Sequence, residues 1–129
     1  YNVLGLDVIK DYVDSINFKT FNSAEPDVNM FLKKSTNFKA TLDIKKTINY
    51  SNIIFVTLRT ESLPSGKYDH FQVENLLNSL EEMGKQNIKK DLIICSNVCP
   101  GYSNEIHNRL KDLNAKKNIK QNPKIVNEK

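Results

Sequence analysis

Short apolar runs alternate with segments of helical periodicity along most of the chain. Three runs rich in β-branched residues predict strands, at Val3–Asp7, Asn52–Leu58 and Leu92–Ser96. A shorter alternating run, Phe38–Thr41, predicts a fourth strand. The Asn52–Leu58 run is almost uninterrupted, which is typical of a strand covered on both faces in a parallel sheet.

Helices are predicted between these strands, because apolar residues recur there every three or four positions. The predicted helices are Val8–Ile16, Glu25–Lys34, Asp43–Asn49, Asp69–Gly84 and Pro100–Leu113. Proline suits the first turn of the second helix, where a backbone N–H has no partner within the helix. The predicted buried positions are Val8, Ile9, Tyr12, Val13 and Ile16 in the first helix, Val28, Phe31 and Leu32 in the second, and Val73, Leu76, Leu77, Leu80 and Met83 in the fourth.

This order of elements predicts the α/β class, with a Rossmann-like, three-layer parallel sheet and helices on both faces. The 129 residues, of which 39% are hydrophobic, are enough for one core, so we expect a single domain over residues 1–129. A flavodoxin-like sheet has the same alternation. The chemistry of the loops must therefore distinguish the Rossmann-like from the flavodoxin-like fold, because ligands of such sheets bind beyond the carboxyl ends of the strands.

The net charge of +4 is concentrated near the C-terminus, where six lysines lie between Lys111 and Lys129. We treat residues 115–129 as a basic C-terminal segment. No aromatic residue lies among these lysines to stack on bases, so nucleic acid is not the expected partner. The longest apolar run is shorter than the roughly 20 residues that span a bilayer, which argues against a membrane partner.

Cysteine usage bears on compartment and on metal binding. Cys95 and Cys99 lack the CxxC spacing of redox or zinc sites, so no metal site is expected. The simplest interpretation is two reduced thiols in a cytoplasmic protein.

The segments at the carboxyl ends of the three best strands contain the candidate site residues, and a parallel sheet is expected to bring these segments to one edge. They are Asp7, Leu58–Glu61 and Ser96–Gly101. In dinucleotide-binding βαβ units the second strand ends in an acid that accepts hydrogen bonds from the adenosine ribose, about 20 residues after a glycine-rich phosphate loop. If Asp7 is this acid, the loop belongs upstream of Tyr1, and the domain is incomplete at its N-terminus. Asp7 could equally cap the helix that follows it.

Taken together and in order, these segments resemble the NAD-binding domain of the UDP-glucose/GDP-mannose dehydrogenase family. The resemblance covers nearly the whole chain. The matching segments are the strand ending in Asp7, Ile16-Asn17 (family "IN"), Glu25-Pro26 ("EP"), Phe38–Thr41 ("F-x-x-T"), Ile53–Val56 with Thr60 ("IIFV…TP"), Tyr68-Asp69, Ser96–Gly101 ("STVPPG") and Asn122–Lys124 with Glu128 ("NPE" and a downstream acid).

The resemblance implies NAD as cofactor and a nucleotide sugar as substrate. The family oxidises the sugar 6-hydroxyl to the acid in two hydride transfers, through a thiohemiacetal and a thioester on a cysteine. That cysteine lies in a later domain, so Cys95 and Cys99 are not its equivalents. The implied cofactor-binding residues are Asp7 at the adenosine ribose, Leu58, Arg59 and Thr60 near the nicotinamide-side nucleotide, Ser96, Asn97 and Val98 beside the nicotinamide, and Glu128 near cofactor and substrate.

The chain also departs from the family pattern. Asn97 stands where the family has a threonine that positions catalytic water, and its amide offers a different set of donors and acceptors. Lys124 replaces a glutamate that is an acid–base candidate, and a lysine ammonium cannot accept a proton. Glu61 replaces a proline. Asn97 and Lys124 are thus the catalytic candidates implied by position, and the alternative to an active enzyme is an inactive Rossmann-like binding or structural module.

Two further expectations concern strand edges and histidines. In the Rossmann strand order the missing first strand lies between Val3–Asp7 and Asn52–Leu58. If that gap is real, its open edges could pair two copies of the chain into a homodimer. A receiver-like domain ranks below these interpretations, because only Asp7 of its expected acidic pair is present. His70, His107 and Tyr102 are expected to have structural roles.

Overall fold

The computed structural model describes residues 1–84, 90–115 and 125–127. They form two compact units, one within residues 1–50 and the other within residues 51–129. Both units contain a parallel sheet, as predicted. Whether residues 1–129 act as one domain, and whether two copies pair, stay predictions. Most of the basic segment 115–129 lies outside the described residues.

The first unit contains two strands and three helices. They are β1 (Val3–Leu6), α1 (Lys10–Asn17), α2 (Pro26–Lys34), β2 (Phe38–Thr41) and α3 (Ile44–Tyr50). β1 and β2 pair in parallel, from Val3 opposite Phe38 to Leu6 opposite Thr41. The core is formed by Val13, Ile16, Leu32 and Ile48, which are all buried.

The end of α1 closes the outer edge of β2. The Asn17 amide donates from Nδ2 to the Ala40 carbonyl at 2.9 Å, and Asn17 Oδ1 accepts the Ala40 N–H at 2.8 Å. The neighbouring carbonyls of Asn37 and Thr41 accept hydrogen bonds from β1, so the Ala40 groups point the other way. The side chain therefore takes the place of a neighbouring strand and protects an edge that could otherwise pair with another chain.

The predicted apolar faces of α1 and α2 are only partly correct. Val8 is 88% exposed and Phe31 64% exposed, and Ile9, Tyr12 and Val28 are also exposed. The first helix begins at Lys10 instead of Val8 because the Asp7 carboxylate binds the Ile9 N–H and holds these residues in a turn. The predicted bounds of α2, including its N-terminal proline, are confirmed.

The second unit contains three strands and two helices. They are β3 (Ile53–Val56), α4 (Phe71–Gly84), β4 (Asp91–Ile94), α5 (Tyr102–Ala115) and β5 (Ile125–Asn127). The sheet order is β3-β4-β5, and both pairings are parallel. The predicted stripe of α4 is confirmed. The core of the second unit is formed by Val56, Val73, Leu76, Leu77, Leu80, Met83, Leu92, Ile94, Tyr102, Ile106 and Leu110.

β3 is shorter than predicted and is covered on one face only. It ends at Val56, and Phe55 is 65% exposed within the described part of the chain. The Val56 carbonyl accepts the N–H of Cys95, just beyond β4, at 2.9 Å, which continues the parallel pairing of β3 with β4 at this end. No helix among the described residues is long and apolar enough to cross a membrane.

We expect Leu77→Ala to lower the free energy of unfolding by about 3 kcal/mol, because it removes a buried side chain and leaves a cavity. Leu77 lies on the buried face of α4 and is 1% exposed. Leu63→Ala is the matched control, since Leu63 is 42% exposed and should change stability by less than about 0.5 kcal/mol. Urea denaturation of the two variants measures the difference, and similar losses in both would contradict this description of the core.

Candidate functional site

Asp7 lies directly after β1, at the carboxyl end of the strand. Its backbone N–H donates to the Thr41 carbonyl at 3.2 Å, which extends the pairing with β2 by one residue. Its side-chain Oδ1 accepts the Ile9 N–H at 2.9 Å. No donor among the described residues lies against Oδ2. One carboxylate oxygen thus shapes the turn into α1, and the other can accept hydrogen bonds from a ligand.

In the second unit, the structure brings together the loops after β3 and β4. Ser96 Oγ lies 2.7 Å from the Leu58 carbonyl and 3.2 Å from the Val56 carbonyl. The hydroxyl has one hydrogen, and the shorter distance favours donation to Leu58. The half-buried Ser96 side chain therefore fixes the spacing of two loops that each contain candidate site residues.

Residues 59–61 form the exposed part of the loop after β3. Arg59 and Glu61 make an ion pair of 2.8 Å between two exposed side chains, which contributes little because water screens it. The Glu61 carbonyl accepts the Asp69 N–H at 2.8 Å and ties this loop to the start of α4. Thr60 is half-buried. A glutamate at position 61 is thus accommodated with its side chain in solvent.

Asn97 and Val98 follow Ser96 in the β4–α5 loop, which we define as residues 95–101. The Asn97 side chain is exposed, and no hydrogen bond to it occurs within the described residues. Val98 is half-buried. Lys124 and Glu128, the other candidate residues, lie outside the described residues.

The far end of this loop is held by contacts that could not be predicted from the sequence. The Cys99 N–H donates to His70 Nε2 at 3.2 Å, and the Tyr68 N–H donates to Cys99 Sγ at 3.3 Å. The His70 imidazole stacks on the Tyr102 ring, with 3.7 Å between the ring centroids. His70 and Tyr102 have the structural roles expected of them, but they act on the loop that contains three candidate site residues.

A polar cluster of Glu74, Glu81, Tyr102 and Arg109 joins α4 to α5. Arg109 donates to Glu74 Oε2 at 2.6 Å and to both carboxylate oxygens of Glu81. The Tyr102 hydroxyl donates to the other oxygen of Glu74. The sequence indicates this cluster only by a stripe of polar residues on α4 at helical spacing, which does not reveal the partners on α5.

Hydrogen bonding and burial shift the pKa values of this cluster. The hydrogen bond from Tyr102, and then the one from Arg109, lower the pKa of Glu74. Burial and the hydrogen bond to Glu74 raise the pKa of Tyr102. The hydrogen bonds to Glu81 and Glu74 raise the pKa of Arg109. Glu74 and Arg109 therefore stay charged at neutral pH, and the cluster fixes Tyr102, on which His70 stacks.

The residues 1–129 match the family described as "UDP-glucose/GDP-mannose dehydrogenase family, NAD binding domain". The chain belongs to this family. Its domain is an NAD-binding domain of dehydrogenases. Comparison with curated protein sequences gives no match.

Two solved structures are similar to this chain. One is a ternary complex of GDP-mannose dehydrogenase from Pseudomonas aeruginosa, with a TM-score of 0.78 and 21% identity over 98% of this chain and 30% of that one. The other is a UDP-glucose dehydrogenase from the archaeon Pyrobaculum islandicum, with a TM-score of 0.75 and 17% identity over 98% of this chain and 29% of that one. These likenesses confirm the Rossmann-like fold. The chain spans less than a third of either dehydrogenase.

The described residues fit NAD in two respects. The acceptor-only carboxylate of Asp7 has one oxygen that accepts no hydrogen bond from the described residues, while its other oxygen binds the Ile9 N–H. In the second unit, Ser96 holds the loops after β3 and β4 together at the carboxyl edge, where ligands of α/β sheets bind.

We expect Glu74→Gln to weaken the acid sensitivity of the fold. The pKa of Glu74 is lowered in the folded state from an ordinary 4.5, so the unfolded chain takes up a proton first as the pH falls. The stabilisation by Glu74 is therefore complete above its ordinary pKa and is lost as the pH falls through the lowered one. Because the side chain is 42% exposed, the effect should stay below about 1 kcal/mol.

Urea denaturation at a series of pH values from neutral downward measures this effect. Glu82→Gln is the control, since Glu82 is exposed on the same helix. The control should keep the acid sensitivity of the parent protein. An equal flattening of the pH profile in both variants would contradict the assignment to Glu74.

Proposed function

We propose that the protein is an NAD-dependent nucleotide-sugar 6-dehydrogenase, and that this chain is part of its NAD-binding domain. The proposed reaction oxidises UDP-glucose, or a related nucleotide sugar, to the uronic acid. The family match over residues 1–129 is the observation that carries the proposal. Dehydrogenases of GDP-mannose and of UDP-glucose are both among the similar structures, so the nucleotide of the substrate is left open.

In this proposal Asp7 binds the adenosine ribose of NAD. A carboxylate can accept hydrogen bonds from both neighbouring ribose hydroxyls, and its negative charge disfavours the 2′-phosphate of NADP. The Oδ2 atom is available for this contact, and the bond from Ile9 N–H to Oδ1 limits rotation of the carboxylate. Asp7 would therefore select NAD over NADP.

The loops of the second unit would bind the nicotinamide side of the cofactor. NAD supplies the acceptor for the hydride that leaves the sugar carbon. Leu58, Arg59 and Thr60 would lie along the adjoining nucleotide, and Ser96–Val98 would flank the nicotinamide. The hydrogen bond from Ser96 to the Leu58 carbonyl supports these roles, because it keeps both loops at a fixed spacing. We also propose Glu128 near cofactor and substrate.

The catalytic positions within this chain are Asn97 and Lys124. The exposed Asn97 amide can both donate to and accept from a water molecule, so it could orient water for hydrolysis of the thioester. A protonated Lys124 could donate a proton or stabilise an oxyanion, but it could not act as a base. The nucleophilic cysteine of the family reaction is not among residues 1–129, so this segment alone should not turn over substrate.

The second candidate function is an inactive Rossmann-like module that binds a nucleotide or has a structural role. The changes at Asn97, Lys124 and Glu61 favour it, because each alters the chemistry of a loop that the family uses. NADH formation separates the two candidates. NAD binding without NADH formation, from UDP-glucose or from GDP-mannose, would favour the inactive module.

The free thiols of Cys95 and Cys99 support a cytoplasmic location, since thiols stay reduced there. A nucleotide-sugar substrate and NAD are both compatible with that compartment. A homodimer remains a further proposal, to be tested by the mass of the purified protein in solution.

We expect Asp7→Asn to weaken NAD binding about tenfold, because a neutral amide replaces a charged acceptor of ribose hydrogen bonds. Asparagine keeps an oxygen for the Ile9 N–H, so the turn into α1 should survive. Asp11→Asn is the control, since Asp11 is exposed in the first turn of α1. Isothermal titration calorimetry on the product of the complete open reading frame measures both effects.

The ratio of NAD to NADP affinity is the second readout. Asp7→Asn should reduce the preference for NAD, because the carboxylate no longer repels the 2′-phosphate. An unchanged affinity for both cofactors would show that Asp7 does not bind the ribose. Equal losses in Asp7→Asn and Asp11→Asn would point to a general effect of charge near α1.

A further inference from the structure

We propose that His70 is a positioning residue for the nicotinamide side of the NAD site, and that it acts by holding the β4–α5 loop through the Cys99 N–H. The proposal rests on the function proposed above, in which Ser96–Val98 flank the nicotinamide. His70 is not among the residues proposed above to contact NAD or the substrate.

The contact between His70 and Cys99 meets a need that this sequence creates. The family motif "STVPPG" has proline at the position of Cys99, and proline has no backbone N–H. Cysteine introduces a donor into a half-buried loop, where an unpaired N–H is unfavourable. His70 Nε2 accepts this N–H at 3.2 Å. The histidine thus replaces, by a hydrogen bond, part of the rigidity that a proline ring gives.

The imidazole is well placed to act as this acceptor. It lies against the Tyr102 ring at an interplanar angle of 19°. Tyr102 is itself fixed by its hydrogen bond to Glu74, and the Glu74 N–H binds the His70 carbonyl at 2.9 Å. Acceptance at Nε2 requires the neutral ring with its proton on Nδ1. The arrangement therefore fixes both the plane and the tautomer of the side chain.

The loop is held at both ends of the segment that would face the nicotinamide. Ser96 binds the Leu58 carbonyl at one end, and Cys99 binds His70 and Tyr68 at the other. Asn97 and Val98 lie between these two anchors. Loss of the His70 bond should weaken the second anchor, where the Tyr68 contact remains, and leave the Ser96 anchor intact. The hydrogen bond between Asp7 and Ile9 should not change.

The test compares two ligands and two variants in the product of the complete open reading frame. NAD and ADP-ribose share the adenosine side, but only NAD has the nicotinamide. His70→Leu should weaken NAD binding about three- to tenfold and leave ADP-ribose binding unchanged, because one hydrogen bond that orders the loop is lost. His70→Gln should retain most of the NAD affinity, since its amide oxygen can accept the same N–H.

A second arm uses Cys99→Pro to remove the donor itself. In that background His70→Leu should have no further effect on NAD binding, because no hydrogen bond is left to lose. If Cys99→Pro does not fold, the comparison of His70→Leu with His70→Gln decides alone. Hydrogen exchange of the peptide that contains residues 96–101 should quicken in His70→Leu and stay near the parent rate in His70→Gln.

The outcomes separate this inference from the proposed function. If the parent protein binds no NAD, both are overturned. If the parent binds NAD and His70→Leu binds it equally well, the inference alone fails. Equal weakening of NAD and ADP-ribose, or equal losses in the leucine and glutamine variants, would also overturn it, since His70 would then serve only the stability of the fold.

Discussion

Parallel pairing brings the chain back to the same edge of the sheet after every strand, and this constraint arranges the rest of both units. The crossover from β1 to β2 uses α1 and α2, and that from β3 to β4 uses the loop after Val56 and α4. Each crossover contributes buried apolar residues to the core of its unit, and each leaves a loop at the carboxyl end of the preceding strand. Polar groups that bind a ligand can collect at these ends because the strand interior has no room for them.

The hydrogen bonds at these strand ends fix the orientation of candidate site residues. One carboxylate oxygen of Asp7 binds the Ile9 N–H, and α1 begins two residues later than predicted. The Ser96 hydroxyl donates to the Leu58 carbonyl. In each case a short polar side chain satisfies a backbone group that the sheet no longer pairs. The same side chain then has a fixed orientation, which is what a ligand-binding residue needs. Local structure and candidate function therefore rest on the same contacts.

Hydropathy predicted those parts of the fold in which burial alone decides the outcome. The stripe of α4 was predicted correctly, since its five positions are apolar and all of them are buried. The first turn of α1 was not, because Val8 and Ile9 are apolar but the Asp7 carboxylate captures the Ile9 N–H. The covered second face of β3 was also expected from an apolar run, and Phe55 is exposed. A pattern of apolar residues records what can be buried, but not which partner buries it.

In the candidate site, too, some features could be predicted from the sequence and others could not. Strand topology predicted that Leu58 and Ser96 would lie at one edge, because both follow parallel strands. It could not predict that His70 meets Cys99, since 29 residues separate them and neither has a partner at a regular spacing. The same holds for Arg109 and Glu74, which are 35 residues apart. Such pairs depend on how α4 and α5 pack, which is a property of the folded unit.

The departures from the family motif gain meaning from these contacts. Asn97 is exposed and makes no hydrogen bond within the described residues, so its substitution changes the chemistry that the loop offers without disturbing its anchors. Cys99 is different, because its N–H requires an acceptor and its thiol accepts the Tyr68 N–H at 3.3 Å. A substitution at position 99 is thus compensated within the fold, whereas one at position 97 acts on whatever binds there. This contrast separates the geometry of the loop from its reactivity: the anchors can present the residue at position 97 to a cofactor whether or not that residue still supports hydrolysis.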